Sequence, residues 1–131
     1  MPLTPAAPMP TTFPFKIFAL PAAMRVEDFQ FGITADVEVD PALEGHFYLF
    51  EKHGYGGGGT SWEEHILTIL EEAAPDLLEH VEGFSTEANL LFYADSEAAV
   101  REFMARIQPI FADLGSLSKY LGQTDPSDFF A

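Results

Sequence analysis

The chain has 131 residues, room for one domain and little more. It carries 21 acidic residues against 6 basic ones, a formal net charge of −15, yet 47% of it is hydrophobic and 14% aromatic. Thirteen phenylalanines can build a core, so the charge belongs to the surface of a folded domain and not to a disordered chain. An acidic surface repels nucleic acid and anionic lipid and attracts basic proteins. There is no cysteine, which rules out disulfides, zinc-thiolate sites and cysteine nucleophiles. No stretch approaches the roughly 18 consecutive apolar residues of a membrane helix.

The first dozen residues are rich in proline and alanine and lack a basic residue, so 1–12 is expected to be a flexible tail. The apolar stretch from Ile17 to Met24 is too short for a signal peptide and contains Pro21, and the expected location is cytoplasmic. Phe13, Phe15, Ile17 and Ala19 alternate with other residues and predict a strand, joined by a longish loop to the next. The clearest strand is predicted over Phe29 to Val39. Every odd position there is apolar and every even one polar or glycine, ending in Asp36, Glu38 and Asp40 on the wet face.

Asp40 and Pro41 form a helix-start signal, and Leu43, Phe47 and Phe50 follow on one face up to a stop at Gly54. After the glycines 56–59 a second helix is predicted from Ser61, where Ser61 and Glu64 have the spacing of a capping box. Its stripe is Trp62, Ile66, Ile69, Leu70 and Ala73. Pro75 ends or kinks it and opens a short third helix through Leu77, Leu78 and Val81. Residues 83–86 and 90–94 read as two short strands, the second apolar on both faces and therefore central. A longer helix follows a cap at Asp95 or Ser96, with Val100, Phe103, Ile107, Ile110 or Phe111, and Leu114 in its stripe, Pro109 as a kink and Gly115 as its end. One or two further helical turns carry Leu117, Tyr120 and Leu121, and Phe129 and Phe130 are placed to pack back from the tail 123–131. The order β-β-α-α-α-β-β-α gives a small single α+β domain over 13–122: an antiparallel sheet of about four strands with helices on one face.

The glycine run from Gly54 formally matches G-x-G-x-x-G, but a helix precedes it where the dinucleotide fingerprint needs a strand. Thr60 stands where a P-loop needs lysine. The four histidines, His46, His53, His65 and His80, lack metal-ligand spacing and read as surface or boundary residues. Adjacent carboxylates such as Glu63/Glu64 and Glu71/Glu72 point about 100° apart on a helix and do not converge on a substrate. No serine has a nucleophile context. No catalytic residue, metal or cofactor is expected.

Charge distribution is the sharpest signal. Between His53 and Val100 there is no lysine or arginine, while Glu63, Glu64, Glu71, Glu72, Asp76 and Glu79 lie there with four further acids. Such a face is either a solubilising surface or a docking surface for a cationic partner. Complementary charge speeds such association toward roughly 10⁸–10⁹ M⁻¹s⁻¹ at low salt.

Phe50-Glu51-Lys52-His53-Gly54-Tyr55, the glycine loop and Trp62 resemble the immunity protein 51 family of bacterial polymorphic-toxin systems, in which a helix ending in E-x-x-G-Y leads through a G-x-G loop to a tryptophan. Gly54, Tyr55, Gly57, Gly59 and Trp62 fit those places. So do Pro75-Asp76-Leu77-Leu78, Gly83-Phe84 and Leu91-Phe92-Tyr93-Ala94, and the likeness spans Phe29 to Leu121. The family has an asparagine where Gly58 sits and an aromatic where Thr60 sits, so contacts made by those side chains would differ here. The resemblance implies a non-enzymatic protein that binds and neutralises a cognate toxin domain. A basic toxin suits the acidic face, and a nuclease is the natural candidate because its groove is positive. The candidate contacts are Asp36, Glu38, Asp40, Tyr55, Gly57, Gly59, Trp62, Glu63, Glu64, Glu71, Glu72, Asp76 and Glu79, with Tyr55 and Trp62 as aromatic anchors unless Trp62 is core. An acidic regulatory module for a basic host protein, or a small-molecule binder using the glycine loop, are the alternatives. A homodimer would suit a chain of this size.

Overall fold

The computed structural model describes residues 12–24 and 28–128. Residues 1–11 of the tail expected over 1–12, and Phe129 and Phe130, lie outside the described residues. Strands β1 (Lys16–Ala19), β2 (Phe31–Ala35), β3 (Val81–Gly83) and β4 (Leu90–Ala94) form one antiparallel sheet in the order β1-β2-β4-β3. Helices α1 (Glu44–Lys52), α2 (Gly59–Ala73), α3 (Glu97–Phe111) and α4 (Leu114–Gly122) complete an α+β domain.

The sheet's two faces follow from alternation. Register places Ile33 opposite Phe92, Ala35 opposite Leu90 and Phe31 opposite Ala94 on the face covered by α2 and α3. Ile33, Leu90, Phe92 and Ala94 are fully buried there, and Phe50, Trp62, Ile66, Phe103, Ile107 and Phe111 meet them from the helices. The other face carries Phe18, Tyr93 and Phe84. Phe18 lies across Gly32, where an added Cβ would stand 2.2 Å from the Phe18 ring, and Phe84 packs on Tyr93. Leu91 and Tyr93 are half-buried and their neighbours in β4 fully so, as befits the apolar, central strand that β4 is.

Several boundaries differ from the sequence pattern, each for a local reason. The strand predicted over 29–39 ends at Ala35. The Asp40 N–H donates to the Asp36 carbonyl, and the chain turns at 37–39, so Val37 stays in the core while Val39 is 73% exposed. Asp40 caps as expected, accepting from the Ala42 N–H, but its helix is a 3-10 turn at Pro41–Leu43 that feeds α1. Residues 75–79 also form a 3-10 turn instead of a third α-helix. The last long helix ends at Phe111, not Gly115. Asp113 adopts an extended conformation and caps α4 by accepting from the Ser116 N–H, which places Gly115 inside the new helix.

The exit from α1 is fixed by backbone. Gly54 has φ +93, its N–H donates to the Glu51 carbonyl, and the Tyr55 N–H donates to the Phe50 carbonyl. These two bonds and the left-handed glycine make a Schellman cap, so the predicted stop at Gly54 has a stereochemical cause. It throws Tyr55 inward, against His65.

Candidate functional site

Helix α2 organises the features that the sequence singles out. Its N-terminal end is closed. Gly57, Gly58 and Gly59 are buried, and each is glycine for a steric reason. A Cβ at Gly57 would lie 2.4 Å from the Phe47 ring, and one at Gly59 only 2.2 Å from the Asn89 carbonyl oxygen and 2.3 Å from that of Thr86. The turn 86–89 joins β3 to β4, and the Gly59 N–H donates to the Glu87 carbonyl at 2.9 Å. These close approaches account for the run without a ligand.

Gly58 and Thr60, where the sequence differs from the family it resembles, both meet Glu87. Gly58 has its absent Cβ 2.3 Å from the Glu87 carboxylate, and the Thr60 hydroxyl donates to the same carboxylate at 2.7 Å. Helix α2 therefore begins at Gly59 with Gly58 as its cap, and no capping box forms at Ser61. Ser61 is buried inside the first turn, and its Oγ has no hydrogen-bond partner among the described residues.

Trp62 is 0% exposed and stacks with both Phe50 and His46 of α1, so its ring offers no surface to a partner. Tyr55 is also buried and hydrogen-bonds through its hydroxyl to Thr124, in the segment expected to be a tail. His46 and His65 are core residues, which corrects their reading as surface or boundary histidines. His46 donates from Nε2 to the Phe111 carbonyl at 2.6 Å, and His65 Nδ1 lies 2.8 Å from the Tyr120 hydroxyl. Burial lowers the pKa of both, that of His65 to about 4, and for His46 the Phe111 carbonyl partly opposes the shift. Tyr120 is pushed up, chiefly by its own burial.

The acidic candidates fall into two groups. Asp36, Glu38 and Asp40 stand at the exit of β2, beside the 86–89 turn, where the Glu38 N–H donates to the Ala88 carbonyl. Asp36 pairs with Lys16 at 3.6 Å and Asp40 is engaged as a cap, which leaves Glu38 exposed. Glu63 and Glu64 are half-buried, and Glu63 turns toward β3 to accept from the Ser85 N–H at 3.0 Å. The second group occupies the other end of α2 and the following turn. Glu71, Glu72, Asp76 and Glu79 are all exposed, with Glu82 just beyond. Among the described residues none of these five takes part in an ion pair. The pairs present are Lys16–Asp36, His80–Asp95, Arg101–Glu97 and Arg106–Glu102.

The C-terminal end of α2 is open. A cleft of about 460 Å³ separates it from α3, lined by Ala73, Ala74, Asp76, His80, Glu102 and Arg106 among others. Sequence reading selected Asp76 from this set but missed His80, Glu102 and Arg106. The only signal was the pairing of small residues at 73–74 and 98–99, and folding alone brings those two places together. Among the described residues no group of three or more His, Cys, Asp or Glu is placed to hold a metal ion, and no helix is long and apolar enough to cross a membrane. Comparison with known proteins finds no matching family model, no matching curated protein and no matching solved structure.

Proposed function

We propose that this protein binds and neutralises a cognate bacterial toxin domain of basic charge, as a stoichiometric inhibitor acting in the cytoplasm and without catalysis of its own. The observation that carries the reading is the run of exposed acids from Glu71 through Glu82 that no basic side chain of the described residues pairs, in a stretch of 48 residues without lysine or arginine. Like charges held together on a folded surface repel, so a cationic partner would relieve a cost the free protein bears. The resemblance of the segment around Gly54, Tyr55 and Trp62 to toxin-immunity proteins supplies the class of partner, and a nuclease with a positive groove fits the charge.

The contact surface in this reading is the exposed acidic group, not the aromatic pair. Trp62 and Tyr55 shape it from beneath, by seating α2. The test is co-expression with the toxin gene adjacent to its own. Rescue of growth and co-elution as an equimolar complex are expected, and absence of both rejects the proposal. An adjacent gene without toxicity, whose basic product still binds, would point to the regulatory module instead.

A further inference from the structure

The acidic surface is not flat where it meets α3. The cleft there is lined by methyl and methylene groups of Ala73, Ala74, Pro75, Ala98 and Ala99, and by the charged or titratable Asp76, His80, Glu102 and Arg106. Its volume of about 460 Å³ falls within the range of small ligand pockets, roughly 300–1,000 Å³. We propose that this cleft receives one lysine or arginine side chain of the basic partner, its aliphatic stem lying against the alanines and its cationic head meeting Asp76 and Glu102. The proposal rests on the toxin-binding reading and names the contact that would give it register.

Three observations support that occupant. Long cationic side chains carry an apolar stem and a charged head, and the lining of the cleft offers both apolar groups and carboxylates. Glu102 already holds a guanidinium here: Arg106 Nε donates to Glu102 Oε2 at 3.0 Å, with both side chains nearly half exposed. Asp76 faces the same opening, exposed and outside every ion pair of the described residues.

The cleft's own imidazole reports the field. The pKa of His80 is raised, first by its 2.7 Å hydrogen bond to Asp95 and then by the charges of Asp95, Glu79 and Asp76. This wall of the cleft favours positive charge. The N-terminus of α3 would favour an anion, but Ser96 Oγ already accepts from the Ala99 N–H and Glu97 stands in the first turn.

The full chain, ¹⁵N-labelled, can be titrated with N-acetyl-lysine methylamide and, separately, with its uncharged norleucine counterpart. Saturable shifts confined to the amides of 73–80 and 96–106 are expected with the lysine probe and absent with norleucine. Ala98→Trp fills the cleft from an exposed position without changing charge, and should weaken lysine binding about tenfold or more, as expected when a well-fitted contact is lost. Asp76→Asn, which leaves the helices untouched, should weaken it by about threefold to tenfold. Equal binding of norleucine, shifts spread evenly over Glu71, Glu72, Glu79 and Glu82, or undiminished binding by both variants would each overturn the proposal. Co-expression separates the two levels. Growth rescue by Ala98→Trp equal to wild type sinks the cleft and keeps the toxin reading, whereas failure of the wild type to rescue sinks the reading itself.

Discussion

At its N-terminal end α2 is pressed so close to the 86–89 turn that Gly59 has no room for a methyl group, whereas at its C-terminal end four alanines line a cleft open to water. Both ends use small residues, for opposite purposes. At the first, smallness lets two backbones touch and removes space. At the second, smallness leaves space over. The glycine run and the tryptophan, which dominate the sequence to the eye, hold α2 in place. The plain Ala-Ala-Pro-Asp at the far end lines the open cleft.

That contrast can be broken most directly by adding bulk at each end. Gly59→Ala sets a Cβ against two backbone carbonyl oxygens that have no rotamer to yield, and should cost about 3 kcal/mol in urea unfolding. Ala98→Leu, at the open end, should cost less than about 0.5 kcal/mol. Similar losses at both would show that the glycine contact is not tight.

The closed end also carries a pH dependence. His65 has a pKa of about 4 when folded and about 6.5 when unfolded, so below pH 6.5 the unfolded chain binds more protons than the folded one. Stability is therefore fully present above pH 6.5 and falls by about 3 kcal/mol as the pH drops to 4. His46 acts in the same direction. His80, with its raised pKa, acts oppositely: its contribution is present below pH 6.5 and lost as the pH rises through its folded value. Urea unfolding between pH 7 and 5, above most carboxylate titration, should show a slope that flattens in His65→Gln. A slope unchanged by that substitution would place its origin elsewhere.

At the open end, Glu71→Lys with Glu72→Lys should slow association with the proposed basic partner about tenfold at low salt and flatten its salt dependence, with little change in stability. An on-rate identical to wild type in stopped-flow mixing would remove this face from the interface. The smallest expected effect decides between two roles for one hydroxyl. As a helix cap, Ser61→Ala would lose about 1 kcal/mol. As a buried hydroxyl without a partner, the same change should gain about 1 kcal/mol, and the direction of the Tm shift reads it.

Much of the fold was legible where one physical cause dominates. Alternation marked β2, the apolar Leu90–Phe92 marked the central strand, and Gly54 marked the exit of α1 through a backbone requirement. Legibility failed where tertiary contact overrides a local signal. Ser61 has capping-box spacing, but the 86–89 turn draws helix α2 back to Gly59. Val39 continues the alternation beyond a turn that the sequence does not announce. His46 and His65 sit on the buried stripes, beside Leu43 and Phe50 and beside Trp62 and Ile66, and residue type hid what spacing showed. The acids of the candidate surface could be found from charge alone. The cleft could not, because it joins residues 73–80 to residues 96–106 through two strands of the sheet.

The sheet's outer strands are four and three residues long. A strand edge is a template: it invites any extended chain of another copy to continue the ladder. Here the template is barely a few residues long on either side, beneath exposed rings such as Phe18 and Phe84 that would otherwise favour stacking of copies. Short edges and a net charge of −15 thus act on the same hazard by different routes, one denying backbone bonds and the other keeping copies apart. A small domain so rich in phenylalanine can then persist at high concentration without fibre growth from its own sheet.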